Sequence, residues 1–133
     1  MTRDPAALRY LASHEWVEAP DSANAGVVAI GISSFAVEQL TDLVYLALPV
    51  VGREVKRGDE VGEVESVKAV STIYSPVSGQ IVEVNSQLAD QLDQLKDDPY
   101  GKGWLVKIRM SDPKEWDGLL EAGPYQAQCD QSH

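Results

Sequence analysis

VGEVESVKAVSTIYSPVSGQIVEV, residues 61–84, is the stretch that decides the fold. Its β-branched runs VGEVES, STIYS and GQIVEV are short and are parted by turn formers, which reads as consecutive strands. Pro76 and Gly79 punctuate the second half of it, supplying a fixed φ and a permissive one. Between the first two runs stands ESVKA, where Lys68 is the only positive charge in the stretch.

The same grammar extends in both directions. EWVEA, GVVAIGI, LVYLALPVVG, EVKRGDEVGEVES and GWLVKIRM are further short runs, with Pro49, Gly52, Gly58, Gly101 and Gly103 among the breaks. The expectation is an all-β core of many short strands. GREVKRGDEVGEVES (52–66) and SGQIVEVNSQ (78–87) each set Gly before a β-branched strand. That echo fits a two-fold sandwich, and equally a shared taste for valine and glycine.

Few helices are expected. At the C-terminus Asp112 can cap, Pro113 suits the first helical position, Glu115 can complete a capping box, and Gly123 and Pro124 can stop the helix. Trp116, Leu119 and Leu120 would then share one face, making this helix a lid on the sheet. A shorter helix is expected through FAVEQL after Ser34, and a third turn is marked by Leu88, Leu92 and Leu95.

The 133 residues suit one domain, 1–133, able to bury a core without disulfides, with residues 1–7 and 126–133 expected as flexible tails. Eleven basic against 21 acidic residues give a formal charge of −10, which repels phosphate backbones and anionic membranes. No nucleic-acid or membrane role is expected. The N-terminal segment MTRDPAALRYLASHEW has no apolar stretch of the signal-peptide kind, and no window approaches the roughly 18 apolar residues of a membrane span, so the expected location is the cytoplasm. Cys129 is the only cysteine, which excludes an intrachain disulfide and a Cys-based zinc site; as a free thiol in a tail it is expected to be incidental. His14 and His133 lie at opposite ends without paired spacing, so no metal is expected.

No enzyme constellation survives inspection. GxGxxG, Walker and GxSxG patterns are missing, and GKGW at 101–104 lacks the residues of a phosphate cradle. Glu63 and Glu65 stand at i, i+2 and so share one strand face, where like charges usually mean a solvated surface. Lys68 carries two readings: a solvated turn lysine, or an attachment point whose amine is acylated so that a cofactor performs the chemistry.

VESVKA followed by IYSPVSGQIVEVN resembles the lipoyl-attachment segment of the glycine cleavage H-protein family, with Lys68 at the lipoylated position. YLASHEWV, VAIGISSFA, LVYLALPVVG, the SPVSG turn and DPYGKGWLVKI are similar to family blocks in the family order, over roughly residues 8–125. The resemblance implies a barrel-sandwich hybrid of short antiparallel strands, of the lipoyl/biotinyl type, with a few short helices and one at the C-terminus. It implies a non-catalytic carrier holding lipoate in amide linkage on Lys68. Its partners would be the pyridoxal-phosphate glycine decarboxylase (P protein), which loads an aminomethyl group, and the tetrahydrofolate-dependent aminomethyltransferase (T protein), which removes the methylene. Dihydrolipoyl dehydrogenase (L protein) would take the electrons, and a lipoate ligase or a lipoyl or octanoyl transferase would attach the cofactor.

By the same resemblance Glu65, Gly52 and Gly79 match positions by which the attaching enzyme recognises the hairpin. Ser13 and Glu15 match the contact to the amine of the loaded arm, with Thr72 as a third candidate. Ordinary turn chemistry is the alternative for the glycines, and a surface glutamate beside a packed Trp16 is the alternative for Glu15. Two positions depart from the family pattern: Thr72, where Asp is frequent, and Lys96, where Asn is usual. The competing function is an H-protein-like lipoate carrier serving sulfur oxidation with a heterodisulfide-reductase-like partner. A biotin carrier is disfavoured because Val67, not Met, precedes Lys68; a structural domain with an unmodified Lys68 is the last alternative.

Overall fold

Every run read as a strand contains one, in a computed structural model that describes residues 4–20, 26–40 and 42–131. EVKRGDEVGEVES, read as a single run, is broken by the turn at Lys56–Asp59 into two strands in different sheets. The strands are β2 (Glu15–Val17), β3 (Val27–Ile32), β4 (Leu43–Ala47), β5 (Glu54–Val55), β6 (Glu60–Ser66), β7 (Val70–Tyr74), β8 (Gly79–Val84) and β9 (Val106–Met110). Two-residue strands β1 (Arg9–Tyr10) and β10 (Leu120–Glu121), too short to leave a periodic signature, complete the set. All pairings are antiparallel. They make a seven-stranded sheet in the order β10-β1-β2-β3-β9-β8-β5 and a three-stranded sheet in the order β4-β6-β7.

One core lies between the sheets. Val28, Ile30 and Ile32 of β3, Ile108 of β9 and Ile81 of β8 meet Leu46, Val61, Val64 and Ile73 of the smaller sheet in a single buried cluster. β3 is apolar throughout because its other face is covered as well. Ala29 joins a second cluster with Leu8, Tyr10, Trp16, Tyr125 and Cys129. Gly31 permits this, since a Cβ there would meet the Trp16 ring at 2.7 Å. The Trp16 indole N–H donates to the Pro99 carbonyl at 3.1 Å, tying the DPYG loop to that face.

Two of the three expected helical segments form where they were expected. α1 (Ser34–Gln39) is capped by Ser33, whose Oγ accepts from the Ala36 N–H. Leu88 lies in a 3-10 helix, Ser86–Asp90, and Leu92 and Leu95 in α2 (Leu92–Asp97). Lys96 falls in the last turn of α2, where a cation suits the helix dipole.

The C-terminal region differs from expectation. Asp112 does cap, accepting from the Lys114 N–H, but the segment it opens is a 3-10 helix ending at Gly118. Glu115 closes no capping box; its carboxylate accepts from the Ser78 N–H and Oγ–H at 2.8 and 2.9 Å and braces the turn before β8. Leu119 enters the main core and Leu120 packs on the second cluster, so no shared lid face exists. Gly123 and Pro124 stop nothing: they lie in the first turn of α3 (Ala122–Gln131), where a proline lacks no needed N–H. The expected tail after residue 125 is therefore helix as far as Gln131, and Cys129 is buried within it. The polar composition of QAQCDQ conceals this; among the described side chains of α3 the buried ones are Tyr125 and Cys129, four residues apart. Residues 1–3 and 132–133 of the expected tails, with His133, lie outside the described residues.

Candidate functional site

Lys68 stands in the connection between β6 and β7, and Val67, Ala69 and Val70 beside it are also exposed. The turn is built by Ser66. Its N–H donates to the Ala69 carbonyl at 2.8 Å, its hydroxyl donates to the same carbonyl at 3.3 Å, and its Oγ accepts from the Ala69 N–H at 3.1 Å. A serine hydroxyl that bonds the local backbone stabilises a tight turn. The Val67 N–H donates to the Asp42 carbonyl at 3.1 Å, which fastens the tip to the start of β4. The signal for Ser66 was present in the sequence, as a serine two places before Lys68 in a hairpin.

The Lys68 amine makes no hydrogen bond or ion pair among the described residues. It is a free, projecting nucleophile on a laced turn, and an acyl group in amide linkage fits there: exposed Val67 and Val70, at 68% and 59% of full accessibility, offer an apolar flank. Glu65 pairs with Val70 on one side and Tyr45 on the other, so all three share the outward face of the smaller sheet. Glu63 is on that face too, opposite Thr72, which agrees with the shared face expected for the two glutamates.

Gly52 and Gly79 sit elsewhere, at the β5–β8 edge of the larger sheet. The Gly52 N–H donates to the Ile81 carbonyl at 2.7 Å, and Gly79 pairs with Val55. Each has a backbone reason to be glycine. Gly52 has φ +98°, and a Cβ at Gly79 would come 2.0 Å from the Arg109 carbonyl oxygen. A cleft of about 730 Å³ between β5, β8 and β9 includes Gly79 but none of Lys68, Glu65, Ser13 or Glu15.

Glu15 is not a surface residue; it is 1% exposed. Its Oε1 accepts from the exposed Ser13 hydroxyl at 2.5 Å and its Oε2 from the Tyr74 N–H at 2.7 Å. Burial raises its pKa above the ordinary carboxylate value, and the hydrogen bonds from Ser13 and Tyr74 oppose that rise. Both donors are neutral, and no described cation pairs with it. The structure thus joins Ser13 and Glu15 to each other and to the end of β7. Val70, Thr72 and Tyr74 alternate outward along that strand, spanning roughly 13 Å at about 3.3 Å per residue.

Comparisons with known proteins identify the family. A family model described as glycine cleavage H-protein matches residues 8–132. The chain belongs to the glycine cleavage H-protein family. Among curated relatives, the glycine cleavage system H protein of Alcanivorax borkumensis is 52% identical over 130 residues, covering 98% of each chain. That of Rhodopirellula baltica is 49% identical over 132 residues, covering 99% of each. A crystal structure of a glycine cleavage system H protein from Mycobacterium marinum superposes with a TM-score of 0.84 at 42% identity, covering 94% of this chain and 98% of that one. As a member of the H-protein family, the chain is a carrier component of the glycine cleavage system. Its two packed antiparallel sheets, few short helices and C-terminal helix agree with the fold expected from the resemblance.

Proposed function

We propose that the chain is a non-catalytic lipoyl carrier acting in the cytoplasm, modified on Lys68. It would serve the P, T and L proteins in turn, after a ligase or transferase has attached the cofactor. The observation that carries this reading is the unpaired Lys68 amine at the tip of a hairpin laced by Ser66, in a chain that matches the family from residue 8 to 132. When attached, lipoate would supply a disulfide that opens as one sulfur takes the aminomethyl group, and, once the cargo has left, a dithiol that gives up two electrons as the ring closes again.

The remaining chemistry is the protein's own. Acylation removes the Lys68 ammonium and leaves the chain one unit more negative than its formal −10, so the apolar side chains of Val67 and Val70 can be covered without burying a charge. Thr72 and Tyr74 continue the track toward Ser13 and Glu15. Glu15, a buried carboxylate with only neutral donors, is the electrostatic complement of a cargo amine, and Ser13 adds an exposed hydroxyl oxygen. Glu65, one turn from the acceptor lysine, offers the attaching enzyme a fixed anion. Gly52 and Gly79 serve recognition by holding the sheet edge in shape.

The test is direct. The chain is incubated with lipoate, ATP and a lipoate ligase, its mass is measured, and it is then offered to a glycine decarboxylase with exchange of the glycine carboxyl with bicarbonate as readout. A lipoyl adduct at Lys68 and supported exchange are expected. Absence of the adduct, where a known lipoyl domain is modified, would overturn the carrier reading. An adduct turned over by dihydrolipoyl dehydrogenase without any exchange would assign the chain to the sulfur role instead.

A further inference from the structure

His14 lies between Ser13 and Glu15 and has a left-handed backbone, φ +85°. For a residue with a Cβ that conformation costs about 1–2 kcal/mol, so something must hold it. Three ties do. The His14 N–H donates to the Leu11 carbonyl at 3.0 Å, and its carbonyl accepts from the Ser33 N–H at 2.9 Å. Its Nδ1 lies 2.6 Å from the Tyr125 hydroxyl, which in turn lies 2.5 Å from Ser33 Oγ.

The third tie is the unexpected one. A positive φ in a tight turn is ordinarily met by Gly or Asn, which need no ring. Here the imidazole packs on Phe35 of α1, with centroids 4.8 Å apart, and edge-on against Tyr125 of α3. Tyr125 itself is stacked on Tyr10, with ring planes within 3° of parallel. Ser33 caps α1 as well, so the cap of α1, the side of α3 and the β1–β2 turn converge on one tyrosine hydroxyl. The atoms this turn sets in place are the exposed Ser13 hydroxyl and the buried Glu15 carboxylate bonded to it.

We propose that His14 is a positioning residue: its bond to Tyr125 fixes the turn so that Ser13 and Glu15 present their oxygens in one set direction toward the cargo amine. This rests on the reading that Ser13 and Glu15 meet that amine. It assigns to His14 and Tyr125 a part that neither plays by contact. The Tyr74 N–H, which donates to Glu15 Oε2, reports the carboxylate's placement before any cofactor is attached.

Tyr125→Phe keeps the stacked ring and removes only the hydroxyl; His14→Gly keeps the backbone permissible and removes the ring. Amide hydrogen exchange at Tyr74 in the unmodified protein is one readout. The rate of ammonia release from the lipoylated, aminomethyl-loaded protein without the T protein is the other. Turnover by dihydrolipoyl dehydrogenase confirms that the arm is attached and reachable. Both variants are expected to speed Tyr74 exchange and ammonia release about fivefold, the equivalent of one lost hydrogen bond of ~1 kcal/mol. Wild-type rates of both in the two variants, even with lowered thermal stability, would overturn the proposal and leave the cluster structural. Ser13→Ala and Glu15→Gln separate the two layers. If neither changes ammonia release, the cargo-contact reading fails. If they change it while Tyr125→Phe and His14→Gly do not, only the positioning role fails.

Discussion

The Tyr74 N–H donates to Glu15 Oε2 at 2.7 Å, so the last residue of β7 in the small sheet is bonded to the first residue of β2 in the large one. Glu15 thereby anchors the far end of the strand that follows Lys68, in addition to any contact it makes with cargo. Removing the acceptor leaves the part-buried Tyr74 N–H without this partner. Glu15→Ala should therefore destabilise the fold by about 1–3 kcal/mol in chemical denaturation at pH 7. Glu15→Gln retains an acceptor oxygen for Tyr74 and should lose far less. The pH dependence has a definite sign. Burial raises the folded-state pKa of Glu15 above its unfolded value, so between those two values the native state holds more protons than the unfolded one. Within that window Glu15 makes stability fall as pH rises, and above it the penalty stays constant. Glu15→Gln should abolish this component, which a comparison of the two proteins' denaturation midpoints from pH 4 to 7 will measure.

Lys68 and Glu65 should separate modification from stability. Lys68 has no described partner, so Lys68→Arg should leave the unfolding free energy within about 0.5 kcal/mol of wild type while giving no lipoyl adduct in intact-mass measurement. A cooperative loss of stability would show that Lys68 is structural. Glu65→Gln should slow lipoylation by the ligase, read as adduct formed per unit time, with stability equally unchanged. Glu63→Gln, on the same strand face but farther from the tip, is the control for charge alone and should modify at close to the wild-type rate.

The two recognition glycines should behave differently from each other. At Gly79 a Cβ would meet the Arg109 carbonyl oxygen at 2.0 Å, a backbone atom that cannot rotate away. Gly79→Ala should cost more than about 2 kcal/mol. At Gly52 a Cβ would have open space and only the positive φ opposes it, so Gly52→Ala should cost about 1–2 kcal/mol. Thermal denaturation ranks the two. The lipoylation rate of folded Gly52→Ala then tells whether this glycine matters to the enzyme beyond its turn.

Strand existence was legible because runs such as GVVAIGI and GQIVEV are β-branched and bounded by turn formers. The turn position of Lys68 followed from the same pattern. Its chemistry did not, since periodicity treats an exposed lysine as solvated and only the ordered blocks around it raised the attachment reading. The surface alternative for Glu15 fails, since the residue is buried; a lone glutamate in EWVEA gives no sign of a backbone donor arriving from residue 74. The C-terminus failed for a related reason. DPKEW carries good capping chemistry, but Glu115 is drawn off to Ser78, and a polar segment was taken as a tail although Tyr125 and Cys129 bury one face of α3. In each case a long-range partner outweighed a local preference.

Thr72, where the family resemblance leads one to expect Asp, offers a last test through its cross-strand partner. Thr72 faces Glu63 across the β6–β7 ladder, and an aspartate there would set two carboxylates directly opposite each other, which costs about 0.2–1 kcal/mol in a sheet. It would also add an anion to the track between Lys68 and Ser13, where a cargo amine would welcome it. Thr72→Asp should accordingly be slightly less stable than wild type at pH 7. It should release ammonia more slowly from the aminomethyl-loaded protein. Adding Glu63→Gln should restore the stability without losing the slower release. If Thr72→Asp leaves release unchanged while stability falls as expected, the outward face of β7 is not where the cargo rests.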